Sequence, residues 1–295
     1  MGAPAPLPTV VTQTSFEYTS TRSTFIMDVG GLVGMNITFL SPLTPTDMTR
    51  QSLPFSYVDV IVSSSDGATH NVQVYTDITA GNIRSFMHLN NFGSYLTASV
   101  EWVSADRTAT AQWDFGVKSE TSTTTSKRSL EPRQSVSNST ASTKSTNVDG
   151  TSGGIAYHRF YRQTQLLWSE TLDQTDYGYW YWATDNVANL TFQSGIDDDV
   201  RDAFTTNGVL ANTNDTNYRA INDTYPTFAF AVDLGSIDAT AVSTLFTLGL
   251  TQESAIQFDG ASGNVSVPSL WTSYYATELD AVSNHKKIRK ALLNF

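Results

Sequence analysis

Cysteine is absent from this 295-residue chain. That absence excludes a disulfide framework, a thiolate metal site and a cysteine nucleophile. Basic residues are also scarce, since 17 Lys and Arg stand against 28 Asp and Glu, for a net charge of -11 and a pI of about 4.6. Such a balance argues against a nucleic acid as partner. No apolar run is long enough to span a bilayer, so no membrane partner is expected either.

Signature motifs of several enzyme classes are missing as well. The chain has no Gly-x-Ser-x-Gly elbow, no phosphate-binding loop and no His-Glu-x-x-His pair. The histidines do not have metal-ligand spacing: His70, His88, His158 and His285. Residues 212–223 resemble a calcium loop faintly, but Asn217 stands where such a loop needs glycine. The sequence therefore predicts no metal site.

The apolar residues that are present mostly alternate with polar ones, which is typical of β-strands. Alternating segments precede residue 40, and two more flank Ser65-Asp66-Gly67, where Asp-Gly favours a hairpin turn. Further strands are predicted at 155–162, 165–170, 177–183, 226–234, 242–252 and 255–259. This number of short strands predicts an all-β fold, a large antiparallel sandwich of two sheets, with few helices.

Two segments have helical patterns instead. Residues 197–206 begin with three aspartates, which suit the positive end of a helix dipole better than a catalytic role. In residues 269–280, Trp271, Tyr275 and Leu279 share one face, so this C-terminal helix should pack on the sandwich.

A Ser/Thr-rich segment, residues 118–154, divides the sandwich into a first part, 1–117, and a second part, 155–268, with a C-terminal helix and tail at 269–295. With almost no large apolar residue, the segment is expected to be a disordered linker. Lys127, Arg128 and Arg133 are candidate processing sites, and a few charges on a solvated linker are the equal alternative.

Several phrases of the chain resemble a known family. They lie at 35–75, 101–107, 161–171, 178–185, 215–223 and 256–281, and include YRQTQLLWSET and GYWYWATD. In this order they are similar to the N-terminal β-rich region of the fungal glutaminase A family of secreted hydrolases. The tail beyond Asn284 departs from that pattern.

The resemblance implies a supersandwich-like domain of a protein that hydrolyses L-glutamine to glutamate and ammonia without an organic cofactor. In the family a large C-terminal domain of the six-hairpin glycosidase type follows and is expected to hold the active site. That domain is expected to be missing here, so the enzymatic status of this chain is left open. Residues 1–8 have no basic and apolar signal-peptide pattern, so a secretion signal would lie upstream.

Residues 81–100 have no counterpart in the family phrases around them. One hypothesis is a retained, translated intron. The alternative is a genuine surface loop, because loops tolerate insertions.

Candidate site residues follow from polar, family-like phrases. Asp176, Arg219 and Asp223 are weak catalytic candidates, although Arg219 paired with Asp223 as a loop brace explains the second phrase equally well. Consecutive aromatics at 179–182 could stack on a ligand, but core or interface packing is favoured. Acceptor triplets for N-glycosylation occur at Asn36, Asn138, Asn189, Asn214, Asn222 and Asn264.

Three functional hypotheses remain. The first is a non-catalytic accessory domain of a secreted glutaminase-A-like protein, with the absent helical domain as its partner and glutamine as a ligand. The second is a carbohydrate-binding or scaffold module of a glycosidase-like protein. The third is a product of a faulty gene prediction, with no function of its own.

Overall fold

A computed structural model describes residues 11–80, 82–89, 92–98, 106–119, 154–169 and 176–284, with 82–89 and 92–98 known by their backbone pairing. The strands of the first half are β1 Thr12–Tyr18, β2 Arg22–Val29, β3 Val33–Leu40, β4 Phe55–Ser64, β5 His70–Thr79, β6 Asn82–Leu89, β7 Phe92–Ala98 and β8 Ala111–Lys118. Those of the second half are β9 Ile155–Arg162, β10 Tyr179–Asp185, β11 Leu190–Ile196, β12 Pro226–Ile237, β13 Val242–Thr251, β14 Ser254–Gly260 and β15 Gly263–Pro268. The helices are α1 Met48–Gln51, α2 Asp197–Asn207 and α3 Glu278–Val282, with a 3₁₀ turn at Leu270–Ser273.

The strands form two large antiparallel sheets and one separate hairpin. The larger sheet has the order β1-β2-β3-β4-β13-β10-β9-β8, and the smaller has the order β11-β12-β5-β6-β7. Strands β14 and β15 pair only with each other in the described chain. The predicted two-sheet antiparallel sandwich is confirmed.

The main core lies between the two sheets, because every second residue of a strand faces the partner sheet. In β4, Val58, Val60 and Val62 face this core, whereas Tyr57 belongs to a second apolar cluster on the opposite face. The predicted turn between β4 and β5 is present, and Gly67 has the positive φ, 83°, that it requires.

Helix α2 covers the outer face of β5 and β12 in the smaller sheet. Phe204 of the helix packs on Tyr75 of β5 and on the alanines of β12. Beneath it, the Arg201 guanidinium donates to Asp77 at 2.8 and 3.2 Å and to Asp197 at 2.7 Å, and the Tyr75 hydroxyl donates to Asp77 at 2.7 Å. All four side chains are buried. Helix α2 is therefore fixed by one apolar contact surface and one buried ionic cluster.

The outer face of the larger sheet is covered by the C-terminal segment. Trp271 and Val282 are buried against Tyr57, Tyr157 and Tyr181 of the sheet. The Trp271 indole donates to the Gln252 carbonyl at 3.0 Å. The predicted single helix at 269–280 is wrong, since a 3₁₀ turn and α3 are separated by non-helical residues, although Trp271, Tyr275 and Leu279 do share one apolar cluster.

The break has a local cause. Thr277 has extended dihedral angles, and its hydroxyl accepts from the Asp280 amide at 3.1 Å, so it begins a new helix as an N-cap.

Two other expectations about strands need correction. The predicted strand at 165–170 is wrong: Trp168 has a positive φ of 63°, the Gln165 side chain accepts from the Gly178 amide at 2.6 Å, and the chain turns. Conversely, the sequence does not predict β6, β7, β8, β11 or β15. Within the described ranges, no helix combines the length and apolarity needed to cross a bilayer.

The segment 81–100 contributes β6 and β7, and the backbone of β6 pairs with β5 from Val72 to Thr79. The origin of this segment from a retained intron stays a prediction. The linker residues between 119 and 154, and with them Lys127, Arg128, Arg133 and Asn138, lie outside the described residues, as does the tail beyond Asn284.

Candidate functional site

Arg219 braces the loop between α2 and β12. Its Nη1 donates to the Asp215 carboxylate at 2.5 Å and to the Asn217 carbonyl at 2.8 Å, and its Nε donates to the Asp223 carbonyl at 3.1 Å. The guanidinium also lies 5.4 Å from the centre of the Trp113 ring. The bracing role suggested by the sequence is thus present, but the carboxylate that pairs with Arg219 is Asp215, and Asp223 contributes its backbone.

Asp176 holds the loop that follows β9. Its carboxylate is buried, accepts from the Ser169 hydroxyl at 2.9 Å and lies 3.7 Å from Nε of Arg162. Its backbone also forms a β-bridge with Leu166.

Asp176, Arg219 and Asp223 lie in loops at the same end of the sandwich. Arg162 ends β9 and pairs with Ala111 of β8, and the Ala111 amide donates to the Arg219 carbonyl at 2.9 Å. Asp223 is exposed on the surface of its loop. Each residue is accounted for by its own loop contacts, and a catalytic role for any of them stays a prediction.

The asparagines of the calcium-like phrase are also occupied by loop contacts. Asn212 accepts from the Phe192 amide at 3.0 Å, and Asn214 accepts from the Ser194 hydroxyl at 2.7 Å, so both tie the loop to β11. No group of three His, Asp or Glu side chains suited to a metal is found within the described residues. Among the glycosylation candidates, Asn189, Asn222 and Asn264 are exposed, while Asn36 and Asn214 are half-buried.

The outer face of the larger sheet carries a cluster of charged and aromatic side chains that the sequence does not predict. This Arg159 cluster comprises Asp114, Arg159, Tyr161, Tyr179, Tyr181 and Glu278. The Arg159 guanidinium donates to Asp114 at 2.7 and 2.9 Å and lies 5.3 and 5.6 Å from the ring centres of Tyr179 and Tyr161. The Tyr181 hydroxyl donates to Glu278 of α3 at 2.7 Å.

The environment of the Arg159 cluster changes its proton affinities. Burial raises the pKa of the Asp114 carboxyl, against the opposing effect of Arg159. Burial likewise raises the pKa of Glu278, opposed by the hydrogen bond from Tyr181. Asp114 and Glu278 therefore hold their protons to higher pH than usual, and both lie near the permanent positive charge of Arg159. This arrangement is suited to polar contacts.

The available signal for this cluster was weak. Asp114 and Arg159 are 45 residues apart and meet only because β8 pairs with β9, and β8 had not been predicted. The aromatic phrase at 179–182 did indicate packing on both faces of a strand: Tyr181 faces the C-terminal segment, and Trp182 faces the main core.

An open groove lies near the start of β2, β4 and β10. Its volume is about 770 Å³, and no Asp, Glu or Lys lines it. Trp180, Leu248 and Leu250 provide apolar surface, and Arg22 is the charged residue in the lining. Within the described chain no carboxylate pairs with Arg22. Six serine and threonine hydroxyls also line the groove: Thr19, Ser20, Thr21, Ser23, Ser41 and Ser56.

A family model described as a domain of unknown function, DUF5127, matches residues 21–88 and 134–293, which include β2 to β5 and β9 to α3. The chain belongs to the DUF5127 family. The sandwich, the Arg159 cluster and the lining of the groove are thus largely parts of a DUF5127 domain.

Two curated relatives of this DUF5127 chain have names that refer to glutaminase. Glutaminase A of Aspergillus oryzae is 47% identical over 283 residues, which are 96% of this chain and 33% of the relative. A probable glutaminase of Arthroderma benhamiae is 25% identical over 276 residues, 88% of this chain and 26% of the relative. The resemblance to the fungal glutaminase A family is confirmed, and the chain spans about a third or less of the length of these relatives.

Proposed function

We propose that this DUF5127 chain is the accessory β-sandwich part of a glutaminase-A-like hydrolase and does not hydrolyse glutamine by itself. The whole protein would convert L-glutamine and water to L-glutamate and ammonia. The observation that carries the proposal is the extent of the similarity: nearly all of this chain matches only a third of glutaminase A. The partner would be the family's C-terminal helical domain.

The geometry of the candidate residues supports an accessory role. Amide hydrolysis requires preorganised groups around the scissile carbonyl in a site that restricts water. The polar side chains of Asp176 and Arg219 are directed to loop contacts, and the Arg159 cluster is already joined to α3 through Glu278. These groups stabilise the sandwich and its surface. Such a structural role is expected in a domain that supports or borders a site.

Ammonia release tests the proposal. The purified chain is incubated with L-glutamine at high protein concentration, with glutaminase A of Aspergillus oryzae as the positive control. We expect no release above buffer for the chain alone. Turnover by the isolated chain that disappears on changing Asp176, Arg219 or Asp223 to Ala would place an active site in the sandwich and overturn the proposal.

A ligand-binding role is the second candidate, and the groove beside Trp180 favours it. An indole ring, three leucines, many hydroxyls and one arginine are in the lining, which suits a polyhydroxyl ligand such as a carbohydrate. Glutamine is the competing ligand, because its carboxylate could bind Arg22. Titrations with oligosaccharides and with glutamine, followed by isothermal calorimetry, distinguish the two ligands. A Trp180→Ala variant should lose the response, whereas a Trp271→Phe variant should keep it.

We also propose that the parent protein is secreted and glycosylated. The exposure of Asn189, Asn222 and Asn264 supports this, because oligosaccharide attachment needs accessible asparagine. Secretion from a fungal host, followed by mass analysis before and after enzymatic deglycosylation, tests it. A secreted product with no mass change would exclude glycosylation.

A further inference from the structure

The hairpin formed by β14 and β15 is set apart from the sandwich. Its two strands pair with each other and with no other strand of the described chain. Ile256 lies directly opposite Val267, and Phe258 lies directly opposite Val265. A two-stranded hairpin alone is at best marginally stable in water, so this element needs a further contact surface.

One face of the hairpin is apolar and exposed. Residues two apart in a strand share a face, as do directly opposed residues of paired strands, so Ile256, Phe258, Val265 and Val267 form one surface. Their exposures are 56, 59, 52 and 38%. The other face is polar, with these side chains: Gln257, Asp259, Asn264 and Ser266.

This separation into two faces resembles that of a strand pair at the surface of a larger core. In β4 the same alternation places valines in the main core, whereas in the hairpin the apolar side chains meet solvent. Leu270, two residues after β15, is exposed as well. A contiguous apolar surface of this kind marks a site of contact with another protein surface.

Charge and length indicate the partner. The chain carries a net charge of -11, so two copies repel each other and self-association is disfavoured. This chain matches only 33% of glutaminase A, so two thirds of that protein lie outside the matched part and are available to contact it. Along the chain, the hairpin follows β13, the last strand of the sandwich, and precedes the C-terminal segment.

We propose that the apolar face of the β14–β15 hairpin is the docking surface for the part of a glutaminase-A-like protein that this chain does not match. The inference rests on the proposed accessory function. It assigns the contact to four side chains, Ile256, Phe258, Val265 and Val267, and not to the Arg159 cluster.

The test compares this chain alone with a full-length chimera. In the chimera, this chain replaces the matched region of Aspergillus oryzae glutaminase A. Hydrogen exchange of the hairpin amides is measured in both proteins. We expect exchange at residues 254–268 to be at least about tenfold slower in the chimera, because docking suppresses local opening. Aspergillus oryzae glutaminase A, measured over its aligned hairpin, provides a second full-length protein if the chimera does not fold.

Two double variants with equal added charge separate the two faces. Ile256→Asp with Val267→Asp should abolish the slowing in the chimera, whereas Gln257→Asp with Ser266→Asp should retain it. Both should leave the thermal unfolding of the isolated chain unchanged, since none of these positions lies in the core.

Several results would overturn the docking surface. One is equal hydrogen exchange of the hairpin in the chimera and in the isolated chain, and another is equal loss of the slowed exchange in both double variants. A third is slowed exchange in the isolated chain that depends on protein concentration, which would indicate a second copy. A chimera that releases ammonia while its hairpin exchanges rapidly would remove the docking surface and leave the accessory function intact. Ammonia release by the isolated chain would instead remove the accessory function.

Discussion

At the scale of single residues, the buried side chain of His158 makes the stability of the fold depend on pH. Its side chain is fully buried among phenylalanines between the sheets, and its Nε2 lies 3.1 Å from the Ala229 carbonyl of the opposite sheet. Burial lowers its pKa to about 3. In the unfolded chain the same group has a pKa near 6.5. Between these values the unfolded state binds a proton that the folded state does not bind, so acidification favours unfolding.

We therefore predict that stability falls as the pH decreases from 7 to 5 and that His158→Gln removes most of this fall. The variant loses the titrating ring and keeps a donor for Ala229, at a cost of about 1 to 3 kcal/mol at pH 7. Urea unfolding at several pH values measures it. The wild-type protein, unfolded at the same pH values, is the reference, because His70 itself pairs with Asp66 at 2.9 Å. An unchanged slope in His158→Gln would show that other groups set the acid response.

Arg201 is the second residue with a large expected effect. Replacing it with Met leaves the Asp77 and Asp197 carboxylates buried without their positive partner. Such a change costs about 3 to 5 kcal/mol. Arg50→Met removes an ion pair with Asp47 whose side chains are 36 and 42% exposed, and should cost less than about 1 kcal/mol. Similar urea midpoints for the two variants would contradict this assignment.

The sequence predicted residue types better than residue partners. Arg219 was expected to brace its loop, and it does, but Asp215 supplies the carboxylate. The partners of Arg159 and Arg201 could not be predicted, because Asp114 and Asp77 are 45 and 124 residues away and their proximity depends on strand order. The chemistry of a side chain follows from its residue type, whereas its contact partners here depend on the topology of the sheets.

At the scale of elements, the C-terminal segment is held by one large side chain. Trp271 is buried in the outer cluster and bonded to Gln252, whereas Tyr274, three residues on, is 44% exposed. We predict that Trp271→Ala frees residues 270–284, with faster hydrogen exchange there and little change in β4 or β13. Tyr274→Ala should leave exchange unchanged. Faster exchange throughout the larger sheet would mean that the segment and the sandwich unfold as one unit.

Elements with strict alternation and a clear turn were predictable, as the hairpin at Ser65-Asp66-Gly67 shows. The strand at 165–170 was not, because the positive φ of Trp168 and the Gln165–Gly178 hydrogen bond override a strand-like composition. The split of the C-terminal helix did leave a signal, since Thr277 and Asp280 have the spacing of an N-terminal cap.

At the scale of the whole molecule, the two parts of the sequence on either side of the linker share one core. Strand β8 pairs with β9, β4 pairs with β13, and β5 pairs with β12, so both large sheets contain strands from both parts. The main core likewise includes Val60 from the first part and Phe246 from the second. The first and second parts of the sandwich are therefore not independent folding units.

This interlocking predicts the result of separating the parts at the candidate processing site. When residues 1–128 and 129–295 are co-expressed as two chains, they should form one stable complex, because the pairings that join them do not require the covalent linker. Size-exclusion chromatography should give a single 1:1 species, and denaturing electrophoresis should give two bands. The free energy of unfolding should become concentration-dependent, since unfolding now also releases two chains.

As a control, a break within the β4–β5 turn at Gly67 should lower stability more, because it adds chain ends beside paired strands and splits one part of the sandwich. Pieces that separate without denaturant, or that each unfold cooperatively alone, would show that the two parts are autonomous and that cleavage at Arg128 releases a domain.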